Sequence, residues 1–207
     1  VKTHLCQQAT EEWFKLRCGV ATASEFDNLV TPEWKIRTGA TPETYLLKKL
    51  AERHLGSPQL SYSSGAMEQG VLREDEARAW YEFNRSAQVE RVGFCTTDDG
   101  KAGCSPDGLV GEDGGLEIKC PEAHTHLRYL MAGVLPKDYA AQVQGSLFIT
   151  GRKWWDFLSY NRSFPALVVR VTPDPVAQEA IGKALGQFTA ALDTAFIHLQ
   201  TLAEKTA

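Results

Sequence analysis

Five short runs rich in apolar residues between 89 and 171 are separated by stretches that favour turns. VERVGFCTT, CSPDGLVG and GLEIKC are divided by DDGKAG and EDGG, and KWWDFLSY and ALVVRV follow later. Runs of this length, bounded by glycine and aspartate, predict β-strands. Helical spacing governs much of the rest. TASEFDNLV (22–30) begins with Thr22 and has Glu25 three positions on, the spacing of a capping box, so a helix is expected there. TPEWKIRTGATP reads as a loop, and ETYLLKKLAERHL as a short helix stopped by Gly56. After a polar turn over 57–65, AMEQGVLREDEARAWYEF predicts a helix of about five turns. A helix over 137–149 and a long or broken one opened by Pro175 complete the order. Strands interleaved with helices in this way predict an α/β fold, a central mixed sheet flanked by helices.

Length and composition narrow the class. The 207 residues suit one domain, 1–207, with a core of useful size. Apolar residues make up 43% and charged residues 23%, a globular balance, and no apolar run reaches the length of a membrane span. VKTHLCQQATEEWF has neither the basic head nor the apolar middle of a secretion signal, so a cytoplasmic location is expected. The cysteines at 6, 18, 95, 104 and 120 contain no CxxC pair and read as small buried thiols. A net charge of −4 argues against a protein that coats nucleic acid but not against an enzyme acting on it. A site for divalent cations itself needs carboxylates, which lower the sum.

The most informative stretch is CSPDGLVGEDGGLEIKC. Alternation along a strand puts Glu117 and Lys119 on one face and Leu116 and Ile118 on the other. A turn at EDGG would pair this strand with the one bearing Asp107. Two carboxylates beside an ammonium suit a hard divalent cation and its waters, and Mg²⁺ there would polarise a phosphoryl oxygen. By spacing alone, a solvated hairpin with surface ion pairs fits equally well.

The pattern PDGL, then ten residues to EIK, resembles the PD-(D/E)xK nuclease signature. More narrowly, the chain resembles the phage lambda exonuclease family, the YqaJ-like viral recombinases. Four ordered blocks carry the likeness: WFKLRCGVATASEF, AMEQGVLREDEAR, CSPDGL with GLEIKCP, and YAAQVQGSLFIT. The resemblance implies a restriction-endonuclease-like core and a 5′ to 3′ exonuclease on linear double-stranded DNA that leaves a 3′ overhang. It implies two Mg²⁺ ions, with Mn²⁺ able to substitute, held by Asp107, Glu117, Glu74 and the Ile118 carbonyl. Lys119 would activate or orient water and Gln142 would assist, while Arg17 and Ser24 would bind the terminal 5′-phosphate. A toroidal homotrimer, a single-strand annealing partner and a phage or prophage origin in a bacterial cytoplasm belong to the same expectation.

Other readings of these residues stand beside it. Met67, Gly70, Val71, Ala77, Arg78 and Tyr81 surround Glu74 on a helical wheel, but Leu72, Ala79 and Phe83 form a rival apolar row. Arg78 offers Glu74 an ordinary helix ion pair, and the acids at 68, 75 and 76 suit solvent. Gln142 has Gly145, Ser146 and Ile149 as neighbours, a small face able to approach a sheet, while Gln144 points elsewhere. Ser24 in a first helical turn, with Arg17 nearby, suits an anion, although Arg17 could pair with Glu11 or Glu12 instead. Lys35, Arg37, Lys48 and Lys49 are candidates for duplex phosphates, and Trp34 for bases at a frayed end. The histidines show no metal-site spacing, and Trp154 and Trp155 are expected on opposite sheet faces. For Glu74 and Gln142 to join the hairpin, a helix from before it and one from after it must both reach its charged side. The alternatives are a related endonuclease or flap nuclease on the same core, and a non-catalytic DNA-end binding module.

Overall fold

The computed structural model describes residues 1–58 and 66–206, and for residues 66–72 and Thr206 the backbone only. Most of the turn expected over 57–65 lies outside the described residues, as do the side chains of Met67, Glu68, Val71 and Leu72. In chain order the elements are β1 (Lys2–His4), α1 (Glu11–Arg17), β2 (Ala21–Thr22), a 3-10 helix (Ala23–Asn28), α2 (Ala40–Leu55) and α3 (Ala66–Arg85). Then come β3 (Val89–Glu90), β4 (Phe94–Thr96), β5 (Ala102–Cys104), β6 (Gly108–Val110) and β7 (Gly114–Lys119). The chain ends with α4 (Ala123–Ala132), α5 (Lys137–Thr150), β8 (Trp154–Ser159), β9 (Leu167–Val171) and α6 (Pro175–Thr206).

The α/β class holds, but among the described residues the strands form two mixed sheets rather than one. One runs β1-β4-β5-β2 and the other β3-β6-β7-β8-β9. VERVGFCTT is therefore not a single strand: β3 joins the five-stranded sheet and β4 the four-stranded one. The break falls at Gly93, whose N–H donates to the His4 carbonyl and where any Cβ would collide with Cys6. CSPDGLVG divides in the same way, between β5 and β6. Ser105, Pro106 and Asp107 form the crossing, so Asp107 sits just before a strand rather than on one.

Differences at the helices have local causes. Residues 23–28 form a 3-10 helix, and Thr22 makes no side-chain cap; its hydroxyl donates to Glu25 Oε2 at 2.9 Å, which satisfies the pair across the turn. α2 starts at Ala40 and takes Pro42 into its first turn, where a missing N–H costs nothing. It stops at Gly56, in a left-handed conformation. β1, α1 and α4 were not anticipated. The final helix is continuous over 32 residues.

Packing settles which faces are inward. Ala77, Arg78 and Tyr81 are buried whereas Phe83 is 86% exposed, so Glu74 belongs to the inward row of α3. α3 covers the face of the five-stranded sheet made by Leu116, Ile118 and Leu158. The opposite face, bearing Trp155 and Phe157, packs against α5 and α6 through Val143, Leu147 and Ile181. Trp154 and Trp155 do take opposite faces. Cys95 and Cys104 are buried, while Cys6, Cys18 and Cys120 are only partly so.

The two halves of the molecule meet where α5 crosses the 3-10 helix. A Cβ on Gly145 would lie 2.5 Å from the Phe26 ring and 3.2 Å from Ala23 Cβ, so only glycine allows that approach. Gly145→Val should therefore overpack this crossing and lower stability by about 1–3 kcal/mol, read as an earlier urea midpoint at unchanged m-value.

Candidate active site

The β6–β7 hairpin brings the acids together. Gly108 pairs with Leu116, Leu109 with Gly115 and Val110 with Gly114, and Gly111 turns the chain with a φ of 55°. The turn itself is Gly111–Asp113, because Gly114 and Gly115 already belong to β7. Both must be glycine, since the Trp154 and Trp155 rings occupy the places where their Cβ atoms would be. This register sets Asp107 opposite Glu117. Asp107 Oδ2 accepts the Ile118 N–H at 2.6 Å, closing the pair beyond the last strand partners. In a strand the N–H and C=O of one residue point to the same edge, so the Ile118 carbonyl also faces Asp107.

Around Glu117 the chain supplies two donors. Lys119 Nζ lies 2.6 Å from its Oε1, and Gln142 Nε2 donates to the same oxygen at 2.6 Å. Gln142 thus reaches the charged face from α5, and Lys119 also lies over the Tyr139 ring. Gln144 does point elsewhere, donating to the Thr172 carbonyl. Glu74 approaches differently from the expectation: α3 lies on the apolar face of β7 and brings Glu74 to the strand's end. Arg78 does not pair with Glu74. It bonds Asp75 at 2.7 Å, and its Nε donates to the Asp107 carbonyl at 3.1 Å, which holds the crossing in place. Asp75 is exposed, whereas Glu76 accepts from Tyr160 and Arg162.

The electrostatics are those of crowded like charge. Burial, then the neighbouring Asp107, pushes Glu117 up to about 7, against the pull of Lys119. Glu74 is also raised to about 7, by burial and then by Asp107, with Arg78 and Lys119 opposing. Burial raises Asp107 in turn. Burial works against the Lys119 charge, but Glu117 and Asp107 outweigh it and hold the ammonium above its ordinary pKa. Among the described residues no three acidic, histidine or cysteine side chains are arranged to hold a metal ion as they stand. Three carboxylates and a backbone carbonyl around one lysine are nonetheless the donor chemistry of a hard divalent cation, which would supply the positive charge this set lacks.

Beside this centre lies a second polar cluster. Arg17 does not pair with Glu11 or Glu12; Glu11 takes Lys15. Its guanidinium lies 4.3 Å from the Trp13 ring centroid and donates to Ser105 Oγ at 2.9 Å. Trp13 Nε1 donates to the same hydroxyl at 3.0 Å. Ser105, two residues before Asp107, was not singled out from the sequence. The signal available was its place in CSPD beside the acid, but only the fold brings Arg17 to it. Ser24 is exposed on the 3-10 helix, within 3.5 Å of Thr22 Oγ1.

Of the basic candidates, Lys49 is ruled out as a free DNA contact. It is 5% exposed and held between Glu25 Oε2 at 3.0 Å and Glu52 Oε2 at 3.1 Å. Glu52 in turn accepts the Gly19 N–H at 3.0 Å. One buried cation therefore ties the segment after Arg17 to the helix that carries Ser24. Arg37 is half-buried and spends its Nε on the Asp27 and Val30 carbonyls. Lys35 and Lys48 are exposed, and Trp34 rests half-buried against the core with a φ of 60°. None of these four joins the acids at β7.

The family model of the YqaJ-like viral recombinase domain matches residues 12–153. A solved alkaline exonuclease of Laribacter hongkongensis, LHK-Exo, is 31% identical with a TM-score of 0.84, covering 96% of this chain and 100% of that one. The same enzyme in complex with dAMP is 32% identical with a TM-score of 0.85, over the same shares of the two chains. A phage related exonuclease from Haemophilus somnus 129PT has a TM-score of 0.63 over 87% of this chain and 96% of that one; at 12% identity it shows the fold alone. Among the curated proteins none matches.

Two outcomes follow from the charges. Glu74 has a folded pKa near 7 against an ordinary 4.5, so its contribution to stability is present below about 4.5 and is lost as pH rises through 7. In metal-free protein, Glu74→Gln should match the parent melting temperature at pH 4.5 and exceed it at pH 8, by differential scanning fluorimetry. Lys49→Met removes the shared partner of two acids and should cost about 3–5 kcal/mol in urea unfolding.

Proposed function

The chain belongs to the YqaJ-like viral recombinase domain family, and from that premise we propose that it is a metal-dependent 5′ to 3′ exonuclease on linear double-stranded DNA. A nuclease role on DNA comes with the family and with the likeness to an alkaline exonuclease. The observation that carries the finer reading is the convergence, from three separate elements, of Asp107, of Glu117 with Lys119, and of Gln142 on one strand end. Glu74 reaches the same point electrostatically, from a fourth.

Asp107, Glu117, Glu74 and the Ile118 carbonyl would hold the metal, two Mg²⁺ ions with Mn²⁺ able to replace them. Bound there, such ions supply Lewis-acid polarisation of the phosphoryl oxygens and a more acidic water. Lys119, kept protonated by its two acids, acts as a donor and positive charge that orients the attacking water, not as the base. Gln142 fixes the orientation of the Glu117 carboxylate. Arg17, Ser105 and Ser24 receive the terminal 5′-phosphate. The Arg17 guanidinium is kept partly dehydrated against Trp13, which strengthens its interaction with an anion.

The water oxygen bonds to the phosphorus that follows the terminal nucleotide, and the bond to that nucleotide's 3′ oxygen breaks. The 3′ oxygen leaves with a proton, a nucleoside 5′-monophosphate is released, and the shortened strand carries a new 5′-phosphate. LHK-Exo has been solved with dAMP, a product of this class. Repetition leaves a 3′ single-stranded overhang. A homotrimer encircling the duplex, a single-strand annealing partner, a phage origin and the cytoplasm of a bacterial host complete the proposal. Lys35, Arg37 and Lys48 remain candidates for duplex phosphates in it, and Trp34 for a terminal base.

The decisive experiment follows Mg²⁺-dependent release of labelled mononucleotide from linear duplexes bearing a 5′-phosphate or a 5′-hydroxyl. Phosphorylated ends should be digested faster, and covalently closed circles should stay intact; cleavage of circles would favour a related endonuclease. Asp107→Ala should lower the rate by more than about a hundredfold, and digestion persisting in that variant would overturn the assignment. Arg17→Ala should narrow the gap between the two kinds of end.

A further inference from the structure

A second concave feature adjoins the strand end on the side away from Arg17. Ser105 lies where the chain leaves the four-stranded sheet for β6, so the Arg17 cluster flanks β7 on its β6 side. β8 pairs with β7 on the other side, Lys119 opposite Ser159, and the Tyr160 N–H donates to the Lys119 carbonyl. On that β8 side opens a cleft of about 680 Å³ whose lining includes Arg73, Arg162, Tyr160 and Phe164 together with the carboxylates Glu76 and Glu122 that pair with the two arginines. It lies next to the reaction centre: Arg73 precedes Glu74, Cys120 follows Lys119, and the Cys120 thiol feels the charges of Glu74 and Asp107. Its size falls within the general range of ligand-binding clefts.

The lining suits a nucleic-acid strand. Tyr160 and Phe164 offer aromatic surface, and two solvent-accessible guanidiniums stand at its rim. Among the described residues Arg73 pairs with Glu122 at 3.8 Å, a loose pairing with an exposed partner. Arg162 is 72% exposed and bonds Glu76 at 2.6 Å, while the Tyr160 hydroxyl donates to the other Glu76 oxygen at 2.8 Å. Arg73 can exchange the exposed Glu122 for phosphate at little cost, because surface ion pairs contribute weakly, and Arg162 can leave the half-buried Glu76, which keeps its bond from Tyr160.

We propose that this cleft holds the part of the digested strand that stays behind, the nucleotides on the 3′ side of the scissile phosphate, with Arg73 and Arg162 on their phosphates. The inference rests on the exonuclease reading: a strand whose 5′ end sits at Arg17 and whose next phosphate sits at Glu117 crosses β7 from the β6 side, and running on in that direction it meets the cleft on the β8 side. The substrate is then gripped on both sides of the bond that breaks. Release of the mononucleotide leaves the remainder bound, ready to advance by one position.

The test uses the full chain and a blunt 20-base-pair duplex with 5′-phosphates, binding being measured without divalent metal. Arg73→Ala with Arg162→Ala should weaken binding by roughly tenfold at low salt and flatten the salt dependence by about two units in log K against log salt, near 0.9 per phosphate contact. Arg162→Lys, which keeps the charge, should recover part of the loss. Inhibition by a free nucleoside 5′-monophosphate and the preference for phosphorylated ends should stay as in the parent, since the Arg17 side is untouched. An unchanged salt slope would overturn the proposal. So would an equal loss of mononucleotide inhibition, which would assign the cleft to the departing nucleotide. If the parent protein itself digests no linear duplex with Mg²⁺, the exonuclease reading fails. A digesting parent with unaltered binding by the variant rejects the cleft alone.

Discussion

A slip of one residue in the pairing of β6 with β7 would turn Glu117 and Lys119 to the apolar face, and Leu116 and Ile118 to the charged one. The rest of the site depends on that register. Gly111 makes the turn, the two tryptophan rings fill the space above Gly114 and Gly115, and the Asp107 carboxylate locks the open end onto the Ile118 N–H. Gln142 can reach Glu117 from α5, and α3 can seat its apolar row on Leu116 and Ile118, only in this register.

Charge concentrated at one strand end is costly unless it is balanced. Lys119 offsets Glu117 and Asp107, and Arg78 holds the Asp107 backbone while its charge is shared with Asp75. The remaining excess of negative charge appears as the raised pKa of Glu74 and Glu117. Around Arg17 the balance runs the other way. Burial lowers its pKa, while Glu25, Tyr45 and Glu52 hold it up. Lys49 sits between those two acids and makes the segment from Arg17 to Ser24 one connected unit. The two clusters thus differ in sign yet touch through Ser105 and Asp107.

Local pattern carried further for some parts than for others. Strand alternation correctly put Glu117 and Lys119 together, because period two is a property of the backbone. The long helix was legible as a helix, but its wheel offered two apolar rows, and only its packing on β7 selected the one containing Glu74. VERVGFCTT and CSPDGLVG each read as one strand because the clear turn sequences, DDGKAG and EDGG, lie only at their ends; that both switch sheets depends on Cys6 and on strands far away in sequence. Lys49 looked like a surface lysine among others, since its two acidic partners lie on different elements and on opposite sides of it in the chain.

By itself the sequence determined the α/β class, the hairpin with its acids and lysine, and, through four ordered motif blocks, the family. These rest on spacing within a strand, a turn or a motif. Tertiary structure decided the contact of Arg17 with Ser105, the burial of Lys49, the division into two sheets and the approach of Glu74 from the apolar side. Each joins residues separated by many positions, and such pairings follow from which surfaces pack together, not from the local preferences of either segment.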